Sequence, residues 1–455
     1  MFLTFFSCCV AFSQVLAASS TGEPFASGMS WISEPITAAV VPGDSVGIAG
    51  IAASADGELQ VVFESWHGSD WGQRRLCWSA RVNNQWQPPE VIAEEAPFAH
   101  GFASRTNYLP AIAVDADGNP HVSFRAPYSR PQEDGTALGT WRINSLEHAF
   151  RDSNGTWTRH RVDDVFGDEG SSSLEITASG QVLVAFRWRH KRFDDDVAVV
   201  QSMDAAGELW SEPCPLVSER ENQEHVSLAL AADGAPRIVC TATVPGSGGH
   251  GKRIGFAAAT PAAEGDSACV FGSFVFREEN RLLLPGFGVE SHMDNAALAI
   301  GGPDGAPART LVVFNGNVLS QRPALYCSYA DADPEDPASW SAPQLLDEDA
   351  VHPSIVIDAE GKAWVVYQKR NAGSGRWSVL VISGQPGEWS VPQYIDPNGG
   401  DQRVEWEEPA IVVDSTGVLH VVYNVDRLEI RHAWTQVEGG GGPGRRTEPG
   451  WTTPR

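Results

Sequence analysis

Seven times along the chain, a short apolar run meets a turn carrying glycine and is followed by a second apolar run. The second run closes on an aromatic residue or, once, on cysteine. The clearest copies are Pro110–Phe124 (PAIAVDADGNPHVSF), Pro353–Tyr367 (PSIVIDAEGKAWVVY) and Pro409–Tyr423 (PAIVVDSTGVLHVVY). Ala49–Phe63, Ser173–Phe186, Ser227–Cys240 and Ala297–Phe314 follow the same plan more loosely. The turn glycines, Gly57, Gly118, Gly180, Gly234, Gly305, Gly361 and Gly417, are spaced 54 to 71 residues apart. An unbroken apolar first run suits a strand buried on both faces, and Gly supplies the positive φ that a tight hairpin needs. Apolar positions of helical period nowhere extend beyond about three turns.

A second signal closes each unit. Trp86–Pro89 (WQPP), Trp210–Pro213 (WSEP), Trp340–Pro343 (WSAP) and Trp389–Pro392 (WSVP) each follow a third strand, and Trp157 takes the same place without Pro. Pro is tolerated on an outermost strand, where a missing N–H breaks no ladder. Trp there is expected to cover apolar surface between units while its indole N–H stays wet. Four strands repeated seven times predict an all-β fold, a seven-bladed β-propeller of four-stranded antiparallel blades. The stretch Ala257–Phe287, read as the fifth blade, is the least regular, so six and eight blades are the alternatives.

The chain ends predict how the ring closes. The last repeat runs out after three strands at Trp434, and an orphan strand, Ser30–Val40, precedes the first repeat. Pairing the two would complete the seventh blade and remove the open edges of the array. The propeller is therefore placed over residues 30–436 as one domain. Residues 1–18 are apolar and end in small residues, as a secretory signal cleaved near Ala17 or Ala18 does. Residues 437–455, rich in Gly and Pro, read as a flexible tail. A secreted protein, extracellular or periplasmic, is the expectation.

Composition narrows the partners. Lys and Arg number 32 against 58 Asp and Glu, a formal charge of −26 that excludes general affinity for nucleic acid or an anionic membrane. Beyond the N-terminus no segment is apolar for long enough to span a bilayer. The five cysteines after Ala18 (Cys77, Cys214, Cys240, Cys269 and Cys327) are too sparse for a disulfide framework and lack zinc spacing. One bridge is open to them; otherwise they read as small buried apolar residues. No cofactor and no compact metal motif is expected, and the chain reads as a monomer.

Several turns resemble the Asp-box (BNR) turn of sialidase-like propellers, Ser-x-Asp-x-Gly-x-x-Trp. Ser202-Met-Asp204-Ala-Ala-Gly207-Glu-Leu-Trp210 follows it with one residue too many, and Asp152-Ser-Asn-Gly155-Thr-Trp157 keeps the turn without the Ser. Ser328-Tyr-Ala-Asp331 before Trp340 is a longer variant. In that family the box is a structural turn, so the resemblance implies fold. Of the arginine motif that true sialidases carry near the N-terminus, this chain offers only Phe124-Arg125-Ala126-Pro127. It is similar in blade count to seven-bladed BNR-type polysaccharide lyases of the ulvan-degrading kind, and resembles them at Asn107-Tyr108 and His121-Val-Ser. Where those lyases carry two histidines, Thr106 and the Ala126–Pro127 region stand instead.

In a propeller, the residues before each first strand and after each second strand share one face, the mouth of the central channel. Candidate catalytic residues there are Arg125, Tyr128, Arg187, His225, Glu290 and Glu408. Candidate substrate-binding residues are Trp66, His67, Arg105, Tyr108, Arg189, His190, His292 and His352. His225, His292 and His352 read as equivalent places in three successive blades, whereas His121 and His420, inside second strands, read as core. Arginine binds carboxylates bidentately and exposed aromatics stack on sugars, so the set suits an anionic or polyhydroxylated ligand.

A lyase could neutralise a uronate with Arg125 or Arg187 and use Tyr128 or His225 as base. A hydrolase could pair Glu290 with Glu408. His292 and Asp294 with His225 or His352 could ligate a metal, without a compact motif. The expectation is a carbohydrate-active propeller, lyase or hydrolase, acting on an extracellular polysaccharide. A glycan-binding lectin and a protein-interaction propeller are the alternatives, since fold alone does not choose.

Overall fold

The inner hairpin of each blade is set by a few turn residues. The computed structural model describes residues 29–36, 44–66, 74–94, 108–130, 141–162, 172–189, 196–203, 210–216, 223–243, 252–263, 266, 269–271, 274–285, 291–303, 308–318, 322–331, 333–395 and 408–437. Asp115 Oδ1 accepts the backbone N–H groups of Asp117 and Asn119 at 2.9 and 2.8 Å, and Asp414 Oδ1 those of Thr416 and Val418 at 2.8 and 2.9 Å. Ser54 and Thr177 hold Glu58 and Gln181 in the same way. These side chains imitate a backbone turn, and the glycine that follows, as Gly118 at φ 85°, takes the left-handed conformation.

Seven antiparallel sheets of four or five strands result. Their innermost strands are, in blades 1 to 7, Ser45–Ala53, Ala111–Val114, Ser172–Ile176, Gln223–Leu230, Ser291–Gly301, Ala350–Ile357 and Ala410–Val413. The only helical turn among the described residues is Pro337–Ser339. The irregular stretch read as the fifth blade belongs to the fourth: Lys252–Pro261 and Phe274–Leu283 are its third and fourth strands. The period misled because blade 4 carries an extra short strand, Val270–Phe271, at its outer edge.

The ring closes as the chain ends predict. Met29–Ile36 pairs antiparallel with Glu429–Val437, Met29 opposite Val437 and Ile36 opposite Ile430, and forms the outer strand of blade 7. The hydrophobic core is correspondingly divided, with a separate buried cluster between every pair of neighbouring blades. At the closing interface Ile36, Val422 and Ile430 of blade 7 meet Val46, Val61 and Phe63 of blade 1. Each such side chain, when fully buried, is worth roughly 1.5–3 kcal/mol.

The tryptophans cap these interfaces from outside. The residue after each, Gln87, Ser211, Ser341 or Ser390, donates its N–H back to the third strand at 2.7–2.9 Å. Their indoles are not left wet: those of Trp86 and Trp157 donate to Glu34 and Glu90, and that of Trp340 to the Pro334 carbonyl at 2.9 Å. Cys214, on the outer strand of blade 3, is bonded to Cys269 of blade 4, 55 residues on. Cys77, Cys240 and Cys327 are buried thiols, and burial pushes Cys77 and Cys327 up to about 12.

Blades 2 and 7 each hold a stacked imidazole pair tied to the turn aspartate. His121 Nδ1 lies 3.1 Å from His148 Nε2, and His420 Nδ1 lies 2.9 Å from His432 Nε2. His420 also meets Asp414 at 3.1 Å, and His432 meets Glu34 of the closing strand at 3.3 Å. His420 is thus a core residue, as expected, while His121 keeps some exposure. Burial, the largest influence, holds His432 down at about 4 and His148 well below the ordinary imidazole range.

Two outcomes follow. A histidine whose folded pKa lies below its unfolded value favours the folded state fully above about 6.5, and that contribution falls away as pH drops toward 4. For His432 the loss is on the order of 3 kcal/mol, so the thermal midpoint should fall between pH 7 and 4, and H432N should flatten that fall. Midpoints insensitive to pH in the native protein would contradict it. Reduction of Cys214–Cys269 should cost about 4 kcal/mol by the chain-entropy relation for a loop of this length, read as a lower denaturation midpoint in reductant.

Candidate functional site

The seven innermost strands surround a central cavity of about 270 Å³ at their N-terminal ends. Its walls mix small apolar residues with serines such as Ser172 and Ser173 of blade 3, and one arc carries the titratable groups. His225, Asn295, His352 and Glu408 stand at the same place in blades 4, 5, 6 and 7, at the threshold of the strand core, and all line the cavity. On the opposite arc the cavity meets Ile48 of blade 1 and Pro110 of blade 2.

Backbone geometry places these side chains. The first strands of blades 4, 5 and 6 slip register at Glu224/Val226, Asp294/Ala297 and Val351/Ser354. A bulge leaves a residue unpaired and re-aims it. His225, Asn295 and His352 sit in these bulges at φ 45°, 48° and 54°, the left-handed region that costs an ordinary residue energy. Ladders between blades hold the strands in place: Leu228 N donates to Ser173 Oγ at 3.0 Å, and Leu298 N to Ser227 Oγ at 3.1 Å.

The arc is arranged as two imidazole–carboxylate pairs. His225 Nε2 is 3.5 Å from Asp294 Oδ1, and His352 Nδ1 is 3.6 Å from Glu408 Oε1. Asn295 bridges toward the second pair, its Nδ2 3.4 Å from His352 Nδ1. Asp294 is fixed from three sides: Thr241 Oγ1 donates to it at 3.2 Å, Asn295 N at 2.9 Å, and Lys252 Nζ stands 3.7 Å away. Burial acts most strongly on Glu408 and would raise its pKa, and Asp294 pushes the same way. The hydrogen bond and charge of His352, with the charge of His225, outweigh them and hold it below the usual carboxylate range. Half of the Glu408 side chain stays open to the cavity.

The structure sorts the sequence-based candidates. It brings together His225, His352 and Glu408. Blade 5 contributes Asn295 at the equivalent place, not His292, which lies three residues earlier, opposite Asn317 in the ladder. Trp66 and Tyr108 are buried, at 7% and 1% exposure, and offer no face to a ligand. The Trp66 ring packs over Gly47, with the Arg74 guanidinium 5.5 Å from its centroid, and Tyr108 packs edge-on against Phe124.

Arg125 and Arg187 are half-buried and follow the aromatic that ends the repeat in blades 2 and 3, a place held by Glu64 in blade 1 and Thr241 in blade 4. Those two reach the next blade, Glu64 accepting from Leu109 N at 2.9 Å. Tyr128 and Arg189 lie in strands opposite Ile143 and Asp196. His67, Arg105, His190 and Glu290 lie outside the described residues. Asn295 and Lys252 were missed, although Asn295 was findable by aligning DNAALAI with EHVSLAL. No three His, Cys, Asp or Glu among the described residues are grouped to hold a metal.

No protein-family model matches the chain, and no curated protein matches it in sequence. Among solved structures it is similar to a protein of unknown function from Dyadobacter fermentans, at 11% identity and TM-score 0.48, over 90% of this chain and 100% of that one. It is similar to the α-L-arabinanase of Penicillium chrysogenum complexed with arabinobiose, at 11% identity and TM-score 0.45, over 90% and 98% of the two chains. It is also similar to the polysaccharide lyase Uly1, at 11% identity and TM-score 0.48, over 88% and 91%. These are likenesses of shape at low identity and assign no activity to this chain.

Replacing His352 by Gln removes the hydrogen bond and the charge that hold Glu408 low. The Glu408 pKa should then rise, which an isotope-edited NMR titration of the glutamate carboxyls would read. An unmoved titration in H352Q would separate the two residues.

Proposed function

We propose that this chain is a secreted polysaccharide lyase that cleaves a uronate-containing extracellular chain by β-elimination at the channel mouth. The observation that carries this reading is the pair of imidazole–carboxylate contacts, His225 with Asp294 and His352 with Glu408, on one arc of a single cavity. Elimination needs a base near neutrality to take the proton α to the carboxylate, and an acid to protonate the departing oxygen. His225 is the more accessible imidazole, and the well-anchored Asp294 orients it as base. His352, held by Glu408, delivers the second proton. The C–H electron pair becomes the new C=C bond, the C–O bond at the neighbouring carbon breaks, and its electrons stay with the leaving sugar oxygen.

Hydrolysis fits less well. A glycosidase pairs a carboxyl of raised pKa, as acid, with an ionised one; Glu408, held low, suits only the second place, and no other carboxyl lines the cavity among the described residues. Arg125 and Arg187, in the second-strand position that links blades, take a positioning role here. The apolar N-terminal 18 residues and the Cys214–Cys269 disulfide support an oxidising, extracellular or periplasmic location.

Incubating the protein with a panel of uronate polysaccharides should raise ultraviolet absorbance, as the unsaturated sugar end forms together with new reducing ends. His225→Ala should lower the rate by about 10²–10⁴-fold. Reducing ends without absorbance would replace elimination by hydrolysis. Binding without either would replace catalysis by a lectin role.

A further inference from the structure

A second hollow, of about 260 Å³, opens between blades 5 and 6 and shares Asn295 and His352 with the central cavity. Its remaining polar wall is Arg322, Asp349 and Arg370, and Trp377 closes one side. Arg322 Nη1 is 2.9 Å from Asp349 Oδ2, yet about two-thirds of the Arg322 side chain is exposed. Arg370 is exposed, its side chain makes one hydrogen bond, to the Gly375 carbonyl at a long 3.4 Å, and it has no acidic side-chain partner among the described residues. Two arginines and one carboxylate therefore line the hollow. In a chain of net charge −26, that makes the hollow a local positive site beside an acid–base arc.

The rest of the hollow is apolar, from Trp377, Pro323 and Val351. This is the chemistry of an acidic sugar: a flat apolar face for the indole and a carboxylate or sulfate ester for the guanidinium fork. Because Asn295 and His352 belong to both hollows, a saccharide running from one to the other would pass the second imidazole. We infer that the hollow between blades 5 and 6 is a subsite for an anionic sugar residue adjoining the one that reacts. Arg370 is its main anchor, Trp377 its platform, and Asp349 the counter-charge that holds Arg322 back. The inference rests on the polysaccharide reading of the channel mouth, but it concerns binding and is tested without turnover.

The experiment is calorimetry of the full-length protein with uronate oligosaccharides and with the same oligosaccharides after carboxyl reduction. The native protein should bind the charged form about tenfold or more tightly than the reduced one, as for a lost charge-assisted hydrogen bond. R370A should abolish that difference, and W377A should weaken both forms alike. D349N frees Arg322 and should tighten binding of the charged form, a gain that misfolding cannot imitate. Equal affinity for charged and reduced sugars would overturn the subsite, as would D349N that binds no better or R370A that binds as well. Cleavage assays on the same variants keep the two readings apart. Selective binding with no cleavage leaves the subsite standing and fails the lyase; cleavage with no charge preference does the reverse.

Discussion

A propeller blade cannot bury its own apolar faces. Each is covered only by the next blade, so the array stays unstable until the last blade meets the first. Here that contact is built from both ends of the chain, where Met29–Ile36 completes the sheet that Glu429–Val437 would otherwise leave open. The cluster joining Ile36, Val422 and Ile430 to Val46, Val61 and Phe63 is one of seven, but it alone requires residues some 400 positions apart. Glu34 reinforces the seam through His432 and the indole of Trp86. The rigid ring that results gives the central cavity its shape.

Upon that repetition the site is made by departure from it. The seven innermost strands are alike in their apolar cores, and they differ at the single threshold residue each offers to the cavity. In blades 4 to 7 that residue is His, Asn, His and Glu. Bulges in three of these strands hold the side chains in left-handed backbone. Such strain is sustained because both neighbouring blades pin the strand. An all-apolar threshold would have made a plain pore, and an all-polar ring would have given seven equal weak sites. An arc of titratable side chains facing one of small apolar residues and serines gives a single oriented site.

Electrostatics follows the same division of labour. His148 and His432, deep in blades 2 and 7, are held low by burial and serve the fold. The imidazoles of the arc stand beside carboxylates in partial contact with the cavity. The acidic surface as a whole repels polyanions, so a polyanion-binding site must be locally positive, as the hollow of Arg322 and Arg370 is.

The local pattern of the chain determined the architecture. Turn geometry depends on neighbours within five residues, so motifs such as DADGN and DSTGV announce their hairpins. Each Trp-Pro marks an outer edge by the same logic, and the orphan Ser30–Val40 announced the closure because an unpaired strand needs a partner. What sequence misplaced depended on register between distant segments. The extra edge strand of blade 4 disguised where that blade ended. The unequal loop before blade 5 made His292 look equivalent to His225, when the bulge gives that place to Asn295. Trp66 and Tyr108 looked like rim residues because they end or precede strands, yet neighbouring side chains close over them. Which side chains meet across the cavity, and which guanidinium keeps its charge unopposed, was decided only by tertiary packing, because those distances are set by the ring and not by spacing along the chain.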